Sequence, residues 1–205
     1  VPEPDVVVID YGMGNLFSVV SALRYLGADT TTATDPSEVA MARALILPGV
    51  GSFRRGMEEL RRSGLDSAIR DAVARGTRLL GICLGMQLLG SSSTEDGTTL
   101  GLGLVDAVVE SFPIESGFKV PHVGFSTVAS PPESTLFRGL GERPSFYFVH
   151  SYRMPRTPTG SIASTCDYGG GFVASFEADN VAGAQFHPEK SQANGLVLLA
   201  NFLRA

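Results

Sequence analysis

The apolar positions in the first part of the chain follow two patterns that alternate. Residues 5–10, with Val6, Val7, Val8 and Ile9 at their centre, and residues 44–47 are uninterrupted aliphatic runs, which predict strands buried on both faces of a parallel sheet. Between them apolar residues recur three and four apart. Leu16, Val19 or Val20, Leu23 and Leu26 predict a helix, with Asn15 as its N-cap and Gly27 just past its end. A strand over about residues 30–33 and a short helix over about 37–41 continue the alternation. A longer helical stretch over about 57–74, charged on one face and broken near Ser63-Gly64, leads through Gly76 into the apolar run that includes Leu79 and Leu80.

Beyond Leu89 the period shortens to that of strands. A polar loop at residues 91–97 is followed by β-rich segments at 104–112, 119–128, 145–152, 161–168, 172–177 and 181–186. Gly117, Pro131-Pro132, Gly160 and Gly169-Gly170-Gly171 separate them, and a last helix is expected over about 193–203. No repeat, low-complexity tract or linker divides the chain, so one domain over residues 1–205 is expected. The pattern predicts an α/β core of mostly parallel strands with antiparallel hairpins added later.

Composition narrows the function classes. With 43% hydrophobic and 18% charged residues among 205, the chain can bury a core without disulfides or metals. Its net charge is −5 and no basic stretch exceeds the pairs Arg54-Arg55 and Arg61-Arg62, which argues against nucleic acid or anionic membrane as partners. Cys83 and Cys166 are the two cysteines, and no Cys/His cluster has zinc-ligand spacing, so neither metal nor cofactor is expected and a reducing cytoplasm fits. Residues 1–5 lack a basic region leading into an apolar stretch, and no apolar run approaches the roughly 20 residues that span a bilayer.

The candidate chemistry centres on Gly81-Ile82-Cys83-Leu84-Gly85, where an apolar run meets glycines and then Met86-Gln87-Leu88-Leu89. This spacing predicts a nucleophile elbow: strand, sharp turn, helix, with Cys83 in a tight backbone position that the flanking glycines permit. Backbone N–H groups at the helix start would then face the sulfur and favour its thiolate. A buried structural cysteine is the competing reading, and the pentapeptide alone does not separate the two. His187-Pro188-Glu189 supplies the histidine and carboxylate that a catalytic cysteine needs. Pro48-Gly49-Val50-Gly51 ends the run at 44–47 with glycines that let N–H groups turn toward developing negative charge, the requirement of an oxyanion hole. These segments would all lie at the carboxyl edge of one sheet, where open α/β folds bind ligands. Gly12-x-Gly14 lacks the third glycine of a dinucleotide fingerprint, since Phe17 stands there.

Gly-Ile-Cys-Leu-Gly-Met-Gln around Cys83, with His-Pro-Glu at 187–189, resembles the triad-type, class I glutamine amidotransferases. Residues 10–16, 48–51, 121–124, 147–152 and 187–191 further resemble the glutaminase subunits of imidazole glycerol phosphate synthases, and the match covers nearly the whole chain. The resemblance implies a flavodoxin-like α/β fold, hydrolysis of L-glutamine to glutamate and ammonia, and a (β/α)8 barrel cyclase as heterodimer partner that uses the ammonia in histidine synthesis. It implies Cys83 as nucleophile, His187 as base and Glu189 as orienter, with an oxyanion hole from Val50, Gly51 and Leu84. Gly51, Gln87, Glu95, Ser151 and Tyr152 match positions that hold glutamine, and Asn15, His122, Phe125 and Lys190 match positions near the partner. Where the family usually has Trp-Asn after Pro-His-x-Gly, this chain has Phe125-Ser126. Three alternatives remain at this point: a glutaminase serving another synthase, a non-catalytic binding subunit, and a stand-alone hydrolase of γ-glutamyl amides.

Overall fold

A computed structural model describes residues 6–113 and 117–205; Asp5, expected at the start of the first strand, lies outside the described residues. The first part of the chain alternates β1 (Val6–Ile9), α1 (Leu16–Tyr25), β2 (Thr30–Ala33), α2 (Pro36–Ala40), β3 (Ala44–Gly49), α3 (Phe53–Ser63), α4 (Leu65–Ala74), β4 (Arg78–Cys83) and α5 (Leu84–Leu88). The second part is strand-rich. It comprises β5 (Ser92–Ser93), β6 (Thr99–Leu100), β7 (Val108–Ser111), β8 (His122–Thr127), β9 (Ser145–His150), β10 (Tyr152–Arg153), β11 (Ile162–Cys166), β12 (Phe172–Ala178), β13 (Val181–Ala184) and a closing helix α6 (Gln192–Arg204).

The main sheet runs β11-β12-β13-β4-β3-β1-β2. From β13 to β2 every pairing is parallel, and β12 and β11 extend the edge antiparallel. Alternation along the strands sorts their side chains into two cores. Val7, Ile9, Leu45 and Leu47 pack with Leu60, Ile69 and Met86 on one face, while Val6, Val8, Ile46 and Leu80 pack with Phe146, Phe148, Phe186 and Leu198 on the other. Because both faces are covered, β1 and β3 are buried throughout, which explains their unbroken aliphatic runs. A small sheet of order β10-β7-β5-β6 and the antiparallel pair β8-β9 flank this core.

Several boundaries differ from the sequence expectation for local reasons. The helix expected from about residue 57 starts a turn earlier at Phe53, because Gly56 serves packing and does not break it: a methyl there would stand 3.2 Å from the Leu88 side chain. Gly64, left-handed at φ 74°, separates α3 from α4. Asn15 occupies the N-cap of α1 but does not accept a backbone N–H; its amide donates instead to Ser18 Oγ at 3.0 Å. The segment 104–112 pairs as a strand only over Val108–Ser111, since the Leu104 and Val105 N–H groups turn back to the Leu89 carbonyl. No helix among the described residues is long and apolar enough to cross a membrane.

Candidate active site

β3 and β4 end side by side, with Gly49 paired opposite Cys83. Cys83 closes β4 at φ 55° and ψ −112°, a backbone region that a side chain enters only under constraint, and α5 starts with the next residue. Glycines make this turn possible by close approach. A methyl at Gly85 would overlap the Leu47 carbonyl oxygen, and one at Gly81 would come within 2.7 Å of the Met86 backbone. The turn therefore presses the start of α5 against both strands and lifts the Cys83 side chain out at the sheet's carboxyl edge.

His187 arrives from β13, the neighbour of β4, after Gln185 and Phe186. Its backbone is pinned on both sides. The His187 N–H donates to the Tyr147 carbonyl at 2.9 Å, and Ser191 Oγ donates to the His187 carbonyl at 2.6 Å while accepting the Tyr147 N–H. The ring Nδ1 lies 2.8 Å from Glu189 Oε1, and both side chains are buried. This places the Nδ1 proton toward the carboxylate and leaves Nε2, which has no hydrogen-bond partner, as the nitrogen that can exchange a proton. Burial pulls the imidazole pKa down, but the Cys83 sulfur and the Glu189 carboxylate outweigh it and raise the pKa to about 9.

A cavity of about 380 Å³ opens beside Cys83, lined by Val50, Gly51, Leu84, Gln87, Glu95, Pro121, Val149, His150, Ser151 and Tyr152. It gathers the residues expected to hold substrate together with those expected to form the oxyanion hole. The Glu95 carboxylate accepts the Phe53 N–H at 2.8 Å, the first turn of α3, and burial raises its pKa despite that bond. Tyr11 lies beneath the site. Its hydroxyl is buried without a partner against Gly49, and burial, then the nearby Cys83, keeps the phenol protonated.

Two of the expected site residues are held by other contacts in this chain. The Val50 N–H, expected to face the oxyanion, donates to the Met13 carbonyl at 3.0 Å, so it points away from the cavity in this chain. Of the two glycines around Val50, only Gly51 has a left-handed backbone, at φ 105°; Gly49 is required for space, since a methyl there would overlap the Tyr11 hydroxyl. His122, expected near the partner, is buried. Its ring stacks between Tyr168 at 3.8 Å and Phe148 at 4.8 Å between centroids. Asn15, Phe125 and Lys190 are exposed. On β8 and β9, Phe125 pairs with Tyr147 and Val123 with Val149, and Lys190 Nζ lies 6.0 Å from the Tyr147 ring.

His150, Pro121, Val149 and Gln185 belong to the site but were not singled out in the sequence. Gln185 carried one faint signal: it is the polar residue in the otherwise apolar segment 181–186. Its amide donates to Cys83 Sγ at 3.8 Å, while the thiol itself has the Val149 carbonyl 3.9 Å away.

A cysteine on a strand-to-helix elbow, with a buried histidine–carboxylate pair just past the end of the adjacent strand, is the arrangement expected of a triad-type cysteine enzyme on a mostly parallel α/β sheet. Residues 7–205 match the model for glutamine amidotransferase class-I. The chain belongs to that family. It is 46% identical to the imidazole glycerol phosphate synthase subunit HisH of Moorella thermoacetica over 96% of this chain and 93% of that one. It is also 46% identical to the subunit of the same name from Aquifex aeolicus, covering 97% and 95%. A solved structure of PurLQS from Thermotoga maritima superimposes with a TM-score of 0.76 at 19% identity, covering 99% of each chain, and shares the fold.

Proposed function

We propose that this chain is the glutaminase subunit of an imidazole glycerol phosphate synthase, acting as one amidotransferase domain over residues 1–205 and passing ammonia to a (β/α)8 barrel cyclase. The observation that carries this is the convergence of Cys83, the buried His187–Glu189 pair and a cavity lined by Gln87, Glu95, Ser151 and Tyr152. The likeness to the HisH subunits over nearly the full chain supports it. A catalytic free thiol also suits a reducing cytoplasm.

The chemistry follows from the geometry. With the proton held on His187 Nε2, the nitrogen without another partner, the Cys83 sulfur attacks the side-chain amide carbon of glutamine as thiolate. Glu189 keeps the opposite nitrogen occupied and balances the imidazolium. Collapse of the tetrahedral adduct transfers that proton to the leaving nitrogen and releases ammonia, leaving a glutamyl thioester. Water attacks the thioester with His187 as base, giving glutamate and the free thiol. The Leu84 N–H opens α5 and has no partner within that helix, so it can serve the oxyanion at once. The Val50 N–H serves it only after the Gly49–Val50 peptide rotates away from Met13.

That rotation gives the partner its place in the mechanism. Ammonia is largely protonated in neutral water and is then no nucleophile, so hydrolysis is useful only when a second site receives the product. The outer face of β8 and β9 carries Val123, Phe125 and Val149 exposed, with Lys190 beside Tyr147. Val149 lies on both this face and the cavity wall. Such an apolar patch fits a docked protein surface. Co-expression with the cyclase tests this: the two chains should copurify, and Phe125→Asp should abolish it. Rapid hydrolysis of varied γ-glutamyl amides by the chain alone would point instead to a stand-alone hydrolase.

A further inference from the structure

A continuous hydrogen-bonded chain of buried and half-buried groups runs from β8 to the Cys83 sulfur. Ser126 Oγ meets His122 Nε2 at 2.8 Å, His122 Nδ1 meets His150 Nε2 at 3.1 Å, and His150 Nδ1 meets the Tyr152 carbonyl at 2.8 Å. The same carbonyl accepts from Gln87 Nε2 at 2.9 Å. Gln87 Nε2 also donates to Gln185 Oε1 at 2.9 Å, and Gln185 Nε2 reaches Cys83 Sγ at 3.8 Å. A backbone carbonyl can only accept, so the Tyr152 oxygen dictates every orientation in the chain. Toward β8 it requires a proton on His150 Nδ1, hence on His122 Nδ1, hence a donating Ser126 hydroxyl. Toward the nucleophile it requires the Gln87 nitrogen, hence the Gln185 oxygen, and so leaves the Gln185 N–H facing sulfur.

The direction of that last contact has a chemical consequence. An amide N–H facing sulfur stabilises a thiolate, whereas an amide oxygen in the same place would accept S–H and stabilise the thiol. We propose that Gln185 is a positioning residue for the nucleophile: its carboxamide N–H favours the Cys83 thiolate, and the Gln87–Tyr152–His150–His122–Ser126 chain holds the carboxamide in that orientation. This rests on Cys83 being the nucleophile. Burial holds both histidines of the chain neutral, with pKa values lowered to about 4 for His122 and about 3 for His150, so its polarity persists at working pH. The other groups acting on the sulfur are the Val149 carbonyl, which suits the thiol, His187 with Glu189, and the protonated Tyr11 phenol. Gln185→Met adds no charge beside any of them.

The test is the rate of iodoacetamide alkylation of the full chain against pH, with the modified cysteine located by mass spectrometry. Gln185→Met keeps the length of the side chain and removes the N–H. We expect its Cys83 profile to move up by about one pH unit, a roughly tenfold slower reaction on the rising limb below the parent midpoint, with the high-pH plateau unchanged, the scale of one charge-assisted hydrogen bond. A merely structural role for Gln185 would alter the plateau and leave the midpoint in place. Gln185→Glu retains the acceptor for Gln87 and sets a negative oxygen against sulfur, so it should move the midpoint further up, and it tests the idea even if the methionine variant does not fold. Profiles of both variants that superimpose on the parent would overturn the role of Gln185 alone. Neutral-pH alkylation that persists unchanged in Cys83→Ala, on Cys166, would overturn the nucleophile assignment and this inference with it.

Discussion

Replacing Glu189 by Gln removes one buried charge and keeps the shape of the side chain, so its effect can be worked from the structure. Burial alone would lower the His187 pKa from 6.5, yet the Cys83 sulfur and the Glu189 carboxylate bring it to about 9. A rise of that size corresponds to about 3 kcal/mol of preference for the imidazolium. If Glu189 supplies roughly half, Glu189→Gln lowers the pKa by at least about one, a tenfold fall in the ratio of imidazolium to imidazole, which at pH 8 takes the imidazolium from about nine-tenths of the molecules to about half. Because folded His187 holds its proton more tightly than unfolded His187, the parent gains stability that is complete below about pH 6.5 and is lost as pH rises through about 9. Urea unfolding at pH 6 and pH 9.5 should therefore show the parent losing up to about 3 kcal/mol over this interval from this group, and Glu189→Gln losing about half as much. In glutamate release with the cyclase bound, Glu189→Gln should fall about tenfold and His187→Asn further, since an uncharged amide can still orient the ring but nothing replaces the base. An unchanged pH dependence of unfolding, or the reverse order of the two variants in turnover, would refute the assignment of orienter and base.

Cys83→Ala should abolish glutamate release while retaining the parent's circular dichroism and unfolding midpoint within about 1 kcal/mol; turnover at the parent rate would remove the covalent step. Cys166, whose thiol burial pushes up to about 11, should resist iodoacetamide at neutral pH, and Cys166→Ala should keep the parent turnover in a coupled glutamate assay. Gly85→Ala sets a methyl against the Leu47 carbonyl, a backbone atom that cannot step aside, so urea unfolding should show a loss of about 3 kcal/mol or more and turnover should fall with it; a loss under about 0.5 kcal/mol would mean that the elbow tolerates a side chain at that glycine.

The parallel core was legible in the sequence because burial on both faces leaves an unmistakable mark: the runs at Val6–Ile9 and Ala44–Gly49 have no polar position to disturb them. The elbow was legible because two close backbone approaches demand glycines at fixed spacing around Cys83. What could not be read was which particular hydrogen-bond and packing partners distant segments supply once they meet. The Val50 N–H bonds to Met13, and the burial of His122 depends on Tyr168 and Phe148 closing over it. Local spacing carries no information about either partner. Gln185 was hidden for the same reason, since its significance lies in Gln87 and Cys83, about a hundred residues earlier in the chain. Asn15 shows the opposite error: a preferred N-cap residue type at an N-cap position, with its side chain bonded to Ser18 instead.

The central claim is that this chain is a glutaminase whose oxyanion donor is turned away, with the Val50 N–H on the Met13 carbonyl, until its partner engages. Converting a mostly turned-away peptide into a mostly productive one takes about 5 kcal/mol of differential binding, within the reach of a liganded protein interface. Glutamate release should be measured for the chain alone, with the cyclase, and with the cyclase and its substrate. Turnover should be slow in the first state and highest in the third, rising more through kcat than through a lower KM, because glutamine already has its cavity while the oxyanion donor does not yet face it. Equal turnover in all three states would contradict the account.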